Sequence, residues 1–288
     1  MQRYIEKLYY KLFNNYQSYY VNRFKNNITK VVIPKEISED IIVSFTTIPS
    51  RIEIVPLTIK SIFNQTVKIS KLVMYVNSEE FAHLNLEVIL KNEIAQGLEI
   101  VYLNENLRSH KKYYYALSDF SDKIVITIDD DVIYKPDMIE KLVVSYRKYP
   151  QYISAMRCHK MKLSDSGEVC DYTNWHYEMF NDMIPSHLNF FTGCGGVLFP
   201  PDFRPVELFD KDKIRELSFL ADDVWLNFMA FKHKVKVVKA NRGKGTPINL
   251  DENLENSLAY QNVIEGNNND ICIKNMIDYY GLDFSGEK

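Results

Sequence analysis

The sequence has no run of about 18 apolar residues, so we expect no segment that spans a membrane. Its four cysteines have no paired spacing, which argues against a zinc knuckle or a dithiol motif and predicts reduced thiols in a cytoplasmic protein. Lys and Asn interrupt the apolar positions near the N-terminus, so no signal peptide is expected there. The net charge of −3 argues against a general nucleic-acid-binding protein.

Two glycine-rich nucleotide motifs are also missing from the sequence. Neither G-x-x-x-x-G-K-[ST] nor G-x-G-x-x-G occurs, which disfavours a P-loop and a Rossmann dinucleotide site. No two histidines have the i,i+4 spacing of a helical metal site. A phosphate or metal site in this chain must therefore be built from other groups.

The first half of the sequence alternates apolar, β-branched runs with helical patterns, four times in about 110 residues. Apolar runs without polar alternation are typical of strands that are buried on both faces of a parallel sheet. We therefore predict an α/β fold with a Rossmann-like, mostly parallel central sheet flanked by helices. The four predicted strands are 41–45, 72–76, 98–102 and 124–128.

The second half is less regular, and we expect it to complete the same sheet, so that residues 40–288 form a single domain. A helix is predicted at 79–95, and Gly97 is placed to end it. The other predicted elements are short strands at 153–156, 168–172 and 196–199, a helix at 220–232, a strand at 235–239, a loop at 241–253 and helices at 253–264 and 270–280.

A separate N-terminal segment, residues 1–30, carries six Lys or Arg residues and one acid. Within it, residues 2–26 have apolar and tyrosine side chains at three- and four-residue spacing, which predicts an amphipathic helix. One interpretation is a helix that packs on the domain. The other is a helix that lies on a membrane surface, with its basic residues facing anionic lipid.

Three consecutive acids, Asp129, Asp130 and Asp131, directly follow the fourth predicted strand. Pro136 and Asp137 then favour the start of a helix. The acids therefore lie at the carboxyl end of a strand, where open α/β sheets bind ligands. Three adjacent carboxylates favour a hard divalent cation with phosphate partners. The alternative is a solvated turn that caps the helix.

Three further features could meet at the same sheet edge. Asp222 and Asp223 begin a predicted helix, where they could cap it or supply a catalytic base. The turn Thr192–Val197 has three glycines, which permit a ligand to approach the backbone. Arg108, Lys111 and Lys112 follow the third strand and could contact a diphosphate or only begin a solvated helix. The histidines are predicted to be structural or exposed, with the alternative that His176, beside Trp175, stacks on a sugar.

Taken in order, SFTTIPSR after the first strand, the K-K pair, IDDDVIYKPD, GCGGV and ADDVWLNFMA resemble the GT-A class of nucleotide-sugar-dependent glycosyltransferases. The sequence is most similar to exostosin-like N-acetylhexosaminyl transferases and related bacterial capsule and lipopolysaccharide enzymes, over roughly residues 41–280. The resemblance implies a GT-A fold, a UDP-sugar donor and a Mn²⁺ or Mg²⁺ ion.

The resemblance also implies roles for individual residues. Asp131 would bind the metal, Asp129 the ribose or the metal, and Asp130 lies between them. Asp223, together with Asp222, would face the acceptor hydroxyl, although relatives differ in whether they invert or retain configuration. The remaining donor-binding residues that it implies are Thr46, Thr47, Arg51, Lys111, Lys112, Gly195 and Gly196.

Many such enzymes have a late histidine as a metal ligand, whereas no histidine follows His233 here, and Asn267–Asn269 or Asp270 could take its place. The function expected is transfer of a sugar from a UDP-sugar to a hydroxyl of a glycan or lipid-linked oligosaccharide, in bacterial surface polysaccharide synthesis. We expect a cytoplasmic protein, peripheral to the inner face of the plasma membrane if residues 2–26 bind lipid. The alternatives are a nucleotidyltransferase and a non-catalytic protein that binds sugar nucleotides.

Overall fold

The apolar runs of the first half form the centre of a sheet in the computed structural model, which describes residues 17–26, 32–250 and 267–287. Nearly every residue of the first, second and fourth strands is buried, as the absence of polar alternation predicted. The strands are β1 (Ile41–Thr46), β2 (Lys71–Asn77), β3 (Leu98–Leu103), β4 (Ile124–Thr127), β5 (Val132–Ile133), β6 (Ile153–Ala155), β7 (Cys158–Lys160), β8 (Asn189–Phe191), β9 (Val197–Phe199), β10 (Val237–Lys239) and β11 (Ile248–Asn249).

Seven of these strands form one sheet in the order β10-β6-β9-β4-β1-β2-β3. The pairs β1–β2, β2–β3, β1–β4 and β6–β10 are parallel, and β9 alone runs antiparallel to its neighbours β4 and β6. Two short pairs, β5–β11 and β7–β8, are antiparallel and separate from the main sheet. The predicted α/β fold with a mostly parallel central sheet is confirmed.

The helices cover both faces of this sheet. Alternate strand residues point to opposite faces, so Ile42 and Val125 enter one apolar core, while Ile41, Val43 and Ile126 enter another. None of the helices in the described part of the chain is long and apolar enough to cross a membrane. The helices are α1 (residues 17–25), α2 (Val55–Phe63), α3 (Leu86–Ile89), α4 (Lys91–Ala95), α5 (Lys111–Asp119), α6 (Met138–Lys148), α7 (Lys211–Leu217), α8 (Asp222–Lys232) and α9 (Asn268–Tyr280).

Helix α1 is the described part of the predicted N-terminal helix, and it packs on the domain. Phe24 is buried against Ile133 of β5 and Ile248 of β11. The backbone carbonyl of Phe24 accepts a hydrogen bond of 2.8 Å from Lys60 Nζ, which also lies over its ring. Residues 2–16 of the predicted helix lie outside the described residues.

Two predictions about secondary structure were wrong, and a third falls on residues that the structure does not describe. The helix predicted at 79–95 is two short helices, because the side chain of Asn85 caps α3 and the backbone breaks again at Leu90. The predicted strand 168–172 is a turn followed by a short 3₁₀ helix, with only one isolated bridge at Val169. The predicted helix 253–264 lies outside the described residues.

The segment predicted as a loop from residue 241 contains β11. This strand pairs with β5, which directly follows the three acids, and Leu250 N–H donates to Asp131 O at 2.8 Å. The loop is therefore attached to the backbone of the acid motif. The sequence did not predict this, because a two-residue strand carries no periodicity.

Candidate active site

The acid motif and the first strand meet because β1 and β4 are parallel and in register, with Ser44 opposite Thr127. The residues that follow these two strands therefore share one edge of the sheet. Thr47 and Arg51 follow β1, and the three acids follow β4. The structure therefore brings Thr47 and Arg51 next to the acid motif.

Asp130 is the most buried of the three acids, with 4% of its surface exposed. Thr47 Oγ1 donates to Asp130 Oδ2 at 2.6 Å, and Arg51 Nη1 donates to its Oδ1 at 2.9 Å. Thr58 Oγ1 lies within hydrogen-bond distance of the carbonyls of Asp130 and Val132. Burial raises the pKa of Asp130, and Arg51 opposes that shift. Asp130 therefore fixes the shape of the acid loop.

Asp129 and Asp131, one residue to either side, are more accessible, with 28% and 19% of their side-chain surface exposed. Asp131 Oδ2 lies 3.1 Å from Arg51 Nη1. Burial, and then the charges of Asp129 and Asp130, raise the pKa of Asp131 to about 7. Burial and the two neighbouring carboxylates thus outweigh the positive charge of Arg51 at Asp131.

Lys112 joins the two acid motifs. Its Nζ donates to Asp129 Oδ1 at 2.8 Å and lies 3.0 Å from Asp222 Oδ2 at the start of α8. Burial disfavours the charge on Lys112, but the surrounding carboxylates outweigh burial and raise its pKa well above the usual value. Burial likewise opposes ionisation of Asp222, yet Lys112 holds its pKa below the usual range. Lys112 and Asp222 therefore form a buried charged pair.

Asp223 differs from Asp222 in its environment. Its Oδ1 accepts a hydrogen bond of 3.0 Å from Gly193 N–H. Burial, and then the charge of Asp222, raise its pKa to about 8. Two adjacent carboxylates thus have opposite shifts, which is a pattern found where one of them handles protons.

The glycine turn contacts these acids through Gly193. A Cβ added to Gly193 would lie 3.0 Å from both Asp223 Oδ1 and Lys112 Nζ, so this glycine permits the close approach. Gly195 and Gly196, the two predicted to flank the donor sugar, pack elsewhere. A Cβ on Gly195 would meet Arg157 Cβ at 2.7 Å, and Gly196, with φ of +93°, lies against Met138.

Two predicted donor-binding residues lie away from the acids. Lys111 Nζ is 3.2 Å from Asn106 Oδ1 and 3.4 Å from Glu80 Oε2. Thr46 Oγ1 donates to Tyr75 O at 2.7 Å. Of the adjacent lysines at the start of α5, the structure brings only Lys112 to the two acid motifs.

The structure also shows residues that the sequence did not single out. Tyr134 OH accepts a hydrogen bond from Asp129 N–H at 2.9 Å and donates to Cys194 O at 3.0 Å, which joins the acid loop to the glycine turn. Arg157 Nη1 donates to Thr192 Oγ1 at 2.7 Å on the other side of this turn. The sequence shows a tyrosine shortly after the acids, but it does not show that this tyrosine contacts Cys194.

The charges of this edge do not balance. Five carboxylates face two cations, an excess of three negative charges when all are ionised. They are Asp129–Asp131, Asp222 and Asp223, against Arg51 and Lys112. Such an excess suits a divalent cation, although no group of three His, Cys, Asp or Glu side chains in residues 17–26, 32–250 and 267–287 could hold a metal by itself. Mg²⁺ is commonly held by one or two carboxylates together with substrate phosphates and water.

Asp270, considered as a substitute for the late histidine, has a different partner. Its Oδ1 accepts a hydrogen bond of 2.6 Å from the backbone N–H of Tyr172. This contact joins α9 to the segment before Trp175 and leaves the carboxylate in a structural role.

The sequence profile of glycosyl transferase family 2 matches residues 41–199, which is more than half of the chain. The chain therefore belongs to glycosyl transferase family 2. This match, together with the parallel sheet and the acid motif after β4, confirms the GT-A fold and the resemblance to nucleotide-sugar glycosyltransferases. The matched segment covers the sheet from β1 to β9 and ends before α8. A search of curated proteins found no match.

Solved structures with a similar fold are distant in sequence. TarS 1–349 of S. aureus is 15% identical, with a TM-score of 0.46 over 72% of this chain and 59% of that one. Glucosyl-3-phosphoglycerate synthase from Mycobacterium tuberculosis, solved with Mn²⁺, UDP and glucosyl-3-phosphoglycerate, is 14% identical, with a TM-score of 0.48 over 86% of this chain and 82% of that one.

A third similar structure is the mannosyltransferase PcManGT from Pyrobaculum calidifontis in complex with GDP-Man and Mn²⁺. It is 14% identical, with a TM-score of 0.45 over 83% of this chain and 65% of that one. The present chain thus spans about 59% of the TarS chain that it matches. Because sites are added to folds independently, such a similarity does not define a donor or an acceptor.

Proposed function

We propose that the protein transfers a sugar from a UDP-sugar to a hydroxyl of a glycan or lipid-linked acceptor, with a divalent metal ion, in bacterial surface polysaccharide synthesis. The observation that supports this most is the pairing of two acid motifs at one sheet edge. Asp129 and Asp131 are accessible there, and Lys112 links Asp129 to Asp222 at the start of the helix that carries Asp223. Family membership supports the reaction type.

The accessible carboxylates Asp129 and Asp131 would hold Mn²⁺ or Mg²⁺, with further ligands from the donor diphosphate. The excess negative charge of the site supports this assignment, as does the raised pKa of Asp131. When bound, the ion supplies Lewis-acid stabilisation of the departing diphosphate.

Arg51 and Thr47 would contribute to the donor side of the site. Arg51 already contacts both Asp130 and Asp131, and its guanidinium can also bind a phosphate through two parallel hydrogen bonds. Thr47 holds Asp130 and keeps the acid loop in place. Lys112 keeps Asp129 oriented and balances the charge of Asp222.

Asp223 would accept the proton of the acceptor hydroxyl. In the reaction, the acceptor oxygen forms a bond to the anomeric carbon and the bond from that carbon to the diphosphate breaks. The hydroxyl proton passes to the Asp223 carboxylate, and the nucleoside diphosphate departs with its electron pair. Gly193 N–H holds one carboxylate oxygen, and a pKa of about 8 makes the ionised form of Asp223 a stronger base than a solvated aspartate, so the fraction of enzyme with this base available rises as the pH approaches 8.

Calorimetry with a panel of nucleotide diphosphate sugars, each with Mn²⁺, with Mg²⁺ and with EDTA, tests the donor and the metal together. We expect one UDP-sugar to bind only when a divalent ion is present. The Asp131→Asn variant should lose this binding and all transfer, whereas Asp212→Asn, an exposed aspartate on α7, should retain both. Transfer that survives EDTA or Asp131→Asn would contradict the proposal.

The same panel separates the alternative functions. Turnover of a nucleoside triphosphate to a nucleotide sugar would favour a nucleotidyltransferase. Metal-dependent binding of a UDP-sugar without hydrolysis or transfer to any acceptor would favour the non-catalytic binding protein.

For location, we propose a cytoplasmic protein that is peripheral to the inner face of the plasma membrane. The excess of basic residues in the N-terminal 30 residues supports this. Flotation with vesicles of anionic lipid should recover the full chain but not a chain that lacks residues 1–16. That deletion retains Phe24 and its packing on β5 and β11. Equal recovery of both chains, or of neither, would reject the membrane role.

A further inference from the structure

A cavity of about 1000 Å³ lies beside the acid site, and the proposed function does not yet use it. Its walls come from α1, from the segment before α6, from Arg157 and Glu178, and from the segment 244–248. This volume is at the upper end of the range for small-molecule sites. Five separate parts of the chain form this cavity, so specific contacts must hold its walls in position.

Glu178 is held at this cavity by an unusual backbone conformation. Its φ is +51°, in the left-handed region that residues other than glycine rarely adopt. His159 Nδ1 accepts the Glu178 N–H at 2.9 Å, and burial lowers the pKa of His159 to about 3, so this nitrogen stays an acceptor at neutral pH. Strained residues that the surroundings hold in place are frequent at ligand sites.

The two carboxylate oxygens of Glu178 differ in how firmly they are held. Arg157 Nε and Nη2 both donate to Oε1 at 3.1 Å, and Thr246 Oγ1 donates to the same oxygen at 3.0 Å. Oε2 lies 3.7 Å from Lys244 Nζ, too far for a strong hydrogen bond. A carboxylate with one fixed oxygen and one weakly held oxygen can accept a hydrogen bond from a ligand hydroxyl.

The segment that carries Thr246 is held in position by Lys239. This lysine is fully buried, and its Nζ donates to Gly243 O at 2.6 Å, to Asn241 O at 2.7 Å and to Asn241 Oδ1 at 2.8 Å. Gly245, with φ of +71°, lies so close to Met156 that an added Cβ would be 1.9 Å from the Met156 carbonyl oxygen. These contacts therefore fix the conformation of this part of the cavity wall.

The cavity also shares a wall with the proposed reaction site. Arg157 donates to Thr192 Oγ1, and the next residue, Gly193, donates its N–H to Asp223. Glu178 is thus connected to the proposed base through Arg157, Thr192 and Gly193. Two tyrosines, Tyr20 and Tyr177, line the cavity as well.

We propose that this cavity binds the acceptor, and that the acceptor is a saccharide. Glu178 and Arg157 would bind its hydroxyls, and the rings of Tyr20 and Tyr177 would pack on its apolar faces. Three cations and two acids line the cavity, and two of the cations, Arg157 and Lys244, lie within 4 Å of Glu178, so the lining is close to electrical balance. This balance favours a neutral, hydroxyl-rich ligand over an anionic one. The inference rests on the proposed function.

Steady-state kinetics on the full chain test the assignment, with the UDP-sugar identified by calorimetry as donor and methyl glycosides as acceptors. Losing a hydrogen bond to a charged group should raise the acceptor KM about tenfold in Glu178→Gln. Donor KM and the slow hydrolysis of donor by water should not change. Thr246→Val, which leaves the Arg157–Glu178 pair intact, should raise acceptor KM by a smaller factor. Glu207→Gln, a matched control at a surface ion pair, should change nothing.

Saturation-transfer NMR of the methyl glycosides, with UDP and Mn²⁺ present, provides a readout that does not depend on turnover. If no sugar is transferred but glycosides contact the protein and lose that contact in Glu178→Gln, the proposed reaction fails and the cavity assignment stands. Unchanged acceptor KM in both cavity variants, a raised donor KM, or a clear preference for glycerol 3-phosphate over the glycosides would each overturn the inference.

Discussion

Replacing Asp223 with asparagine should stabilise the fold at alkaline pH while abolishing sugar transfer. The ordinary pKa of this carboxyl is 3.8, and burial together with Asp222 raises it to about 8 in the folded protein. Between these two pH values the folded state keeps a proton that the unfolded state has released. The free energy of unfolding therefore falls as the pH rises through this window. Asparagine keeps the shape and the hydrogen bond from Gly193 without the charge.

The size of the gain follows from the same shift. One pKa unit corresponds to about 1.4 kcal/mol, so full ionisation of Asp223 costs the folded state on the order of 5 kcal/mol. Neighbouring groups relax around a new charge, and most single substitutions change stability by about 0.5–3 kcal/mol. We therefore expect Asp223→Asn to gain at least about 2 kcal/mol at pH 8.5 and much less at pH 4.5, because there the folded wild type remains protonated.

Urea unfolding in EDTA at the two pH values measures this difference, with Asp212→Asn as the exposed control. The control should leave both free energies within about 0.5 kcal/mol of the wild type. A loss of stability in Asp223→Asn at pH 8.5, or the same gain at both pH values, would refute the assignment of the raised pKa. Retained transfer activity would refute the role of Asp223 as the base.

Three other substitutions test separate parts of the structure. Lys112→Met should destabilise the fold by about 3 kcal/mol in urea unfolding, because it leaves the buried Asp222 and the partly exposed Asp129 without their shared cation; an unchanged midpoint would contradict the role of Lys112 as a bridge. Gly193→Ala should reduce transfer at least about tenfold with a loss of only about 1 kcal/mol in stability, since its Cβ would press on Asp223; normal turnover would show that the turn can shift freely. Phe24→Ala should free α1 from the domain and expose it to protease at a loss of about 3 kcal/mol, measured by limited proteolysis and urea unfolding, and continued protection would contradict its anchoring role.

The sequence predicted the sheet well, because β1, β2 and β4 are apolar runs without polar alternation, a pattern typical of strands that are buried on both faces. The resemblance to glycosyltransferases placed Thr47 and Arg51 in one donor site with the acids, and the register of β1 and β4 explains why these residues lie together. The sequence could not tell Lys111 from Lys112. Adjacent helical residues point about 100° apart, and which of them faces the acids depends on how α5 packs.

The cavity beside the acid site could not be predicted either. Its residues come from irregular segments, and the left-handed conformation of Glu178 is imposed by His159 and Arg157 rather than by local sequence. The Lys239 contacts that hold the 241–245 segment are only two to four residues apart along the chain, but they lie in an irregular segment. Periodicity carries no information about such contacts.

The position of Arg51 has a thermodynamic consequence for ligand binding. Its Nη1 atom lies between Asp130 and Asp131, so a cation that binds Asp131 must share that carboxylate with an arginine or displace it. An arginine displaced toward a diphosphate finds a better partner there. Under the proposed function, the ion and the nucleotide therefore each raise the affinity for the other by the same factor. UDP should bind Arg51→Met with a much smaller dependence on Mn²⁺ than it binds the wild type.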